Sequence, residues 1–335
     1  MERPELSVII PIFNEAAVID ELRRRLGEAM DQLEKSVRSW EVIFIDDGSK
    51  DASLQKLREM ALAEPRFKVI SFARNFGHQL AITAGVDMAE GDAVVVMDAD
   101  LQDPPEVVGG MLQYWREGYD VVYAVRRSRA GETIFKRLTA AVFYRFLRWM
   151  LGGVSIPVDA GDFRLMSRPV VLTLRALRER HRFVRGMVAW VGFKQTPIYY
   201  DREARFAGET KYPFSKMARF AVDAITSFSI LPLRFASWLG VGAALVAIVY
   251  ALFVVYVKVF LGGVVQGWTT IMIAVALGTS AQLFMTGILG EYVGRIYEEI
   301  KRRPLYITAE LLNFPDGEVG PSSRHVQPTS HRTDV

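Results

Sequence analysis

The chain has 335 residues, with 41 basic side chains against 38 acidic ones and no cysteine. That length is too great for one small domain and suits an α/β domain with an appendage. The absence of cysteine excludes a disulfide framework and thiolate chemistry, so any metal site must use oxygen or imidazole ligands. The basic residues crowd between Arg126 and Arg234, which suggests phosphate groups or an anionic membrane surface as partner, with a solvated basic face as the alternative; no nucleic-acid partner is expected.

The N-terminal apolar run lacks a basic flank, contains Pro11 and does not read as a signal peptide. In chain order, Leu6–Phe13 reads as a buried parallel strand and Ala16–Leu33 has helical spacing. Glu41–Ile45 is a second strand, ended by the turn Asp46-Asp47-Gly48-Ser49, and Asp51–Ala63 is again helical. Phe67–Phe72 is a strand, His78–Ala89 a helix and Ala93–Met97 a fourth strand. Short connections between alternating strands and helices predict a doubly wound, mostly parallel sheet. Ligands of such sheets bind beyond the carboxyl ends of the strands. Asn14-Glu15, Asp46-Asp47, Arg74-Asn75 and Asp98–Asp100 all fall there, so one site is expected from four separate stretches.

Ile134–Leu151 and Pro213–Ser229 are basic amphipathic helices on spacing. Each could lie on a membrane surface or pack on the sheet. Two uncharged apolar stretches follow, about residues 235–258 and 268–291, each long enough to span a bilayer. Arg219 and Arg234 precede the first, and Arg295, Lys301, Arg302 and Arg303 follow the second. The excess of positive charge puts both outer flanks, and the sheet domain, in the cytoplasm. The expected division is a catalytic domain over 1–212, an interfacial linker over 213–232, a multi-pass membrane part over 233–295 and a cytoplasmic tail over 296–335, disordered at its end.

Asp98-Ala99-Asp100 at a strand end, with Asp103 beyond, gathers carboxylates that repel unless a cation neutralises them. Mg²⁺ or Mn²⁺ bridging a diphosphate suits such a set. Val8–Glu15, Ile45–Ser49 and Asp98–Glu106 together resemble the family 2 glycosyltransferases of GT-A fold. Arg74-Asn75-Phe76-Gly77-His78-Gln79, Gly161-Asp162-Phe163-Arg164-Leu165 and Arg205–Tyr212 are similar to the branch that uses polyprenyl phosphate acceptors, which includes bactoprenol glucosyltransferases and dolichol-phosphate mannose synthases.

That resemblance implies inverting transfer of one sugar, a hexose such as glucose, from a UDP-sugar to undecaprenyl phosphate at the inner membrane, serving cell-envelope glycans. A GDP-mannose donor, a processive polysaccharide synthase and a non-catalytic nucleotide-sugar binder are the alternatives. It also implies residue roles. Pro11, Phe13 and Glu15 shape the base and ribose pocket, Asp47 and Asp46 accept from the base, and Arg74 joins the donor site. Asp98 and Asp100 contact sugar, ribose or metal, and Gln102 joins the metal shell. Arg205, Lys211, Arg126 and Arg185 are the candidates for the acceptor phosphate. Asp162 stands where many relatives carry a general base, but a phosphate nucleophile is already largely dianionic at neutral pH, so Asp162 is expected to orient substrate instead. A homo-oligomer, as large as a tetramer, is also expected.

Overall fold

The structure is a computed structural model that describes residues 3–127, 160–201, 230–260 and 267–315. The expected amphipathic helices at 134–151 and 213–229 lie outside the described residues, as do Arg205 and Lys211. The described residues form two compact units, one holding the sheet and residues 303–315, the other the apolar helices up to Arg302.

The sheet unit contains eight strands in the order β7-β5-β6-β4-β1-β2-β3-β8. In chain order they are β1 (Leu6–Ile12), β2 (Trp40–Asp46), β3 (Phe67–Phe72), β4 (Ala93–Val96), β5 (Val121–Arg126), β6 (Ala160–Ser167), β7 (Gln195–Tyr200) and β8 (Thr308–Leu312). The helices of this unit are α1 (Ile19–Leu33), α2 (Ser53–Ala63), α3 (His78–Met88), α4 (Val107–Arg116), α5 (Arg168–Ala176) and α6 (Val184–Trp190).

Strands β1 to β4 are mutually parallel, and every residue of β1, β2 and β4 is buried. Burial on both faces explains their unbroken apolar runs. Pro11 sits in this central strand at no hydrogen-bonding cost on one side, because the pairing of β1 with β4 stops at Ile9. Gly85 lets α3 lie directly on the sheet: a Cβ there would meet Ile9 Cγ2 at 2.3 Å. Helix α3 is accordingly buried from Ala81 to Met88.

The boundaries depart from the expected ones for local reasons. Helix α1 begins at Ile19 rather than Ala16 because the amides of Glu15 and Ala16 are bonded by Ser53 Oγ and Asp51 Oδ2 of the neighbouring loop. Strand β6 enters antiparallel between β4 and β5, and β8 adds antiparallel to the outer edge of β3, so the sheet is mixed at its flanks. Residues 308–312 are therefore an edge strand, preceded by the buried Leu305 and Tyr306.

The second unit is a pair of long helices, α7 (Leu231–Phe260) and α8 (Trp268–Ile300). Both are long and apolar enough to cross a membrane, and their apolar side chains are not buried inside the protein. At 1.5 Å per residue each exceeds the ~30 Å hydrocarbon core. They pack on each other, with Met285 Sδ 4.0 Å from where a Cβ of Gly240 would stand. A Cβ placed on Gly290 or Gly294 would meet nothing within 4 Å among the described residues. Helix α8 outlasts the apolar stretch because Glu291 and Arg295 pair at 2.9 Å one turn apart.

Candidate active site

The four parallel strands deliver their carboxyl ends to one edge of the sheet. There the β1, β2 and β3 loops are tied together. The amide of Asn14 donates to Ser49 Oγ at 3.0 Å, and that of Lys50 to Asn14 Oδ1 at 2.8 Å. Gly48 holds φ +69°, and a Cβ on it would stand 2.6 Å from the carbonyl carbon of Arg74. Conformation and space thus both demand glycine. Gly48→Ala is expected to lower stability by about 1–3 kcal/mol, read as a fall in the thermal midpoint of the purified protein.

The carboxylates of the β2 turn are committed to this scaffold. Asp46 is 1% exposed; its oxygens accept from the Ser49 amide at 3.1 Å and the Ser71 hydroxyl at 2.9 Å. Asp47 is 3% exposed and accepts from the amides of Phe76 (2.6 Å) and Gly77 (2.9 Å) and from Asn75 Nδ2 (2.9 Å). Burial pushes the Asp47 carboxyl up, and the two amides pull it back only in part. The carboxylates of Asp46 and Asp47 are thus hydrogen-bonded among the loops that form this edge of the sheet. Pro11 is likewise buried in its strand, whereas Phe13 is 44% exposed at the mouth of the edge. Glu15 is half-buried behind Phe13, and Arg74 is exposed, its guanidinium 4.1 Å from the Phe76 ring centroid.

The centre of the site lies between β4 and β6. Their antiparallel pairing runs to Val96 opposite Arg164, and just beyond it Asp98 and Asp162 both approach His78 Nε2, at 3.6 and 3.2 Å. Like charges gathered this close are destabilising unless other groups intervene. Here two guanidinium groups and an imidazole do so. Arg185, from α6, grips Asp162 with both arms, Nε to Oδ1 at 2.7 Å and Nη2 to Oδ2 at 3.0 Å. His78, the first residue of α3, brings Nε2 to 3.2 Å from Asp162 Oδ2. Arg164 lies beneath, 4% exposed, donating to the Gly161 and Asp162 carbonyls.

These neighbours split the two acids. Burial alone would raise Asp162, but the His78 and Arg185 hydrogen bonds and the charges of Arg185 and Arg164 hold it far below the usual carboxylate range. Asp98 has no such partner. Burial raises it to about 6, the charges of Asp162, Asp103 and Asp100 add to the rise, and His78 only partly offsets them. The Arg164 guanidinium is lowered to about 10 by burial, against the charge of Asp162. His78 is raised: burial disfavours its cation, but the Asp162 hydrogen bond and the charge of Asp98 outweigh it.

Asp98 Oδ1 is buried with no hydrogen-bond partner and stands 3.6 Å from His78 Nε2. An unpartnered, destabilised carboxylate oxygen fits a divalent cation. Asp100 is buried nearby in the chain and takes the Gln102 amide at 3.2 Å. Among the described residues no group of three or more acidic or imidazole side chains is set to hold a metal alone. A cation here would need oxygens from its substrate, as Mg²⁺ sites on diphosphates do. Asp103 leaves the cluster: it is 2% exposed and accepts from the Tyr200 hydroxyl, which burial pushes up to about 12.

Of the expected phosphate ligands, Arg126 ends β5 with its Nε buried and unpartnered, its Nη2 being 3.8 Å from where a Cβ of Gly161 would stand. The fork of Arg185 is spent on Asp162 instead. His78 and Arg164 lie within the recognised motifs but had no role assigned from sequence. The signals were there: His78 follows Gly77 at a strand–helix junction, and Arg164 shares a strand face with Asp162 two residues earlier.

The glycosyl transferase family 2 model matches residues 7–174 of this chain. The uncharacterized glycosyltransferase YkcC of Bacillus subtilis is 50% identical over 303 residues, which is 90% of this chain and 93% of that protein. The uncharacterized glycosyltransferase sll0501 of Synechocystis is 44% identical, covering 92% of this chain and 95% of its own. A prophage bactoprenol glucosyl transferase homolog of Escherichia coli is 38% identical, covering 90% and 98%.

Proposed function

The chain belongs to glycosyl transferase family 2 and is a glycosyltransferase of GT-A fold; from that premise we propose that it moves one hexose from a UDP-sugar to polyprenyl phosphate at the cytoplasmic face of the membrane. The bactoprenol glucosyl transferases among its relatives support the lipid acceptor and glucose as the sugar. A UDP donor is preferred to GDP-mannose because the resemblance to the bactoprenol glucosyltransferase branch implies it. Two apolar helices support a membrane location. The chain leaves the sheet unit before Leu231 and rejoins it at Arg303. An even number of crossings allows that return, and the basic flanks favour the cytoplasmic side for it.

The Asp98 carboxylate carries this proposal. A buried oxygen without a partner, on an acid raised to about 6 at the carboxyl edge of a parallel sheet, suits a metal-bound nucleotide diphosphate. Asp98 and Asp100, with Gln102, would hold Mg²⁺ or Mn²⁺, which supplies charge neutralisation to the departing diphosphate. Phe13 and Glu15 would flank the base and ribose, and Arg74 the diphosphate. Arg126, with Arg205 and Lys211, would receive the lipid phosphate.

The reaction is a single in-line displacement. A phosphate oxygen of the lipid attacks the anomeric carbon, the bond to the diphosphate oxygen breaks, and its electron pair leaves with UDP. Configuration inverts. No proton need be removed, since the second pKa of a phosphate monoester is about 6. Asp162, saturated by Arg185 and His78, is a positioning group rather than a base.

Membranes holding the protein should transfer radiolabelled sugar from UDP-glucose into a product extracted by organic solvent, one sugar per lipid, and a chelator should stop the transfer. A polymeric product would favour the processive alternative, and binding without transfer the non-catalytic one.

A further inference from the structure

The segment after the second apolar helix does more than end the chain. Tyr306 is 1% exposed. Its ring stacks on Phe72, the last residue of β3, with centroids 5.2 Å apart and planes at 19°. Phe72 in turn meets Phe76 edge-on at 5.6 Å. The Tyr306 hydroxyl donates to Asp87 Oδ2 at 3.0 Å, near the end of α3, where Arg178 also binds at 2.9 Å. The Ala73 amide donates to the Ile307 carbonyl at 3.0 Å, so the strap also holds the first residue beyond β3. Further on, Glu310 forms a two-armed pair with Arg58, and Asn313 Nδ2 donates to the carbonyls of Ala61 and Phe67.

Residues 303–313 thus clamp both limbs of the β3–loop–α3 unit. The loop between them carries Phe76 and Gly77, whose amides bind Asp47, and opens α3 with His78. In sequence this strap reaches the sheet only through both apolar helices. We propose that Tyr306 is a positioning residue for the transferase site, and that the apolar hairpin serves to return a strand that completes the catalytic sheet as well as to anchor it. A catalytic sheet whose hairpin has not inserted correctly lacks the buttress behind His78. Membrane insertion thereby becomes a condition for activity, not only for access to lipid.

The proposal rests on the transferase reading for its catalytic consequence but not for its structural one, and two measurements separate them. In the full-length protein in detergent, hydrogen exchange of Tyr306→Leu should speed by at least tenfold at residues 73–80, remote in sequence from the change, with β1 unaffected. Faster exchange confined to residues 303–313 would overturn the proposal. In the transfer assay the same variant should lose at least tenfold in kcat/KM for the donor, with the lipid KM within twofold and Tyr306→Phe, which keeps the stack, restoring most of it. Unchanged donor kinetics with a lowered thermal midpoint would mean a purely structural strand. Should Tyr306→Leu fail to fold, exchange at residues 73–80 in Tyr306→Met, which fills more of the space but loses the planar stack on Phe72, decides, a rise there being expected and its absence overturning the proposal. If the unaltered protein transfers no sugar, the transferase reading fails while exchange still judges the strap.

Discussion

Asp98→Asn is expected to lower kcat by roughly 10³-fold and, in the same protein, to raise the thermal midpoint. The two effects share one cause. Asp98 lies just beyond β4 and shares His78 with Asp162, and its buried Oδ1 finds no hydrogen-bond partner. An acid raised to about 6 by burial and by neighbouring carboxylates penalises folding once it ionises. That penalty is absent below its unfolded pKa of about 4, develops as pH rises through about 6, and is complete above it. Asparagine keeps the shape and removes the charge, so the gain in stability should be largest above pH ~6 and vanish towards pH ~4. The lost charge is the one that would hold the metal–diphosphate. Thermal melting with and without Mn²⁺ and UDP should therefore show ligand stabilisation in the parent protein and little in the variant. A variant that is both active and less stable would remove Asp98 from its assigned role.

Asp162→Asn tests the opposite half of the split. It should weaken folding by about 3–5 kcal/mol, because the buried Arg164 loses its neighbouring counter-charge and Arg185 the carboxylate that its fork grips. The sign against pH follows from the depressed acid. Asp162 stabilises the fold fully above its unfolded pKa, and that contribution is lost as pH falls below about 4 and the carboxylate is forced to protonate. The parent protein should thus lose stability steeply on acidification, and the variant should lack that part of the slope. Thermal melting between pH 3 and 8 would read both. Transfer should fall by about 10²-fold through misplacement of Arg185 and His78. The limb on which rate rises with pH should keep its midpoint, since it belongs to the acceptor phosphate near pH ~6. Disappearance of that limb in the variant would make Asp162 the base and refute the positioning role.

Much of this site was legible in the residue order. Asn14, Asp46, Arg74 and Asp98 each stand where an apolar strand ends before a helix, and a parallel sheet necessarily collects such ends on one edge. The apolar runs behind α7 and α8 were equally plain, because length without charge is a property of composition. The strands β1 to β4 followed from continuous apolar runs separated by helical spacing.

Tertiary structure decided how those residues are used. No local period announces that β6 enters antiparallel, yet that pairing brings Asp162 to the His78 that Asp98 also approaches. Two aspartates alike in sequence separate into a far-depressed acid and one raised to about 6 because only one is hydrogen-bonded by Arg185 and His78. Asp47 accepts from the amides of Phe76 and Gly77, which belong to the loop after a different strand. Tyr306, more than 200 residues beyond Phe72 in the chain, stacks on it. Spacing along a chain fixes the period of one element; partners brought from distant segments fix a side chain's solvation, charge and contacts. The sequence therefore determined where the chemistry gathers, and only packing determined which groups hold the site in shape and which are left to bind.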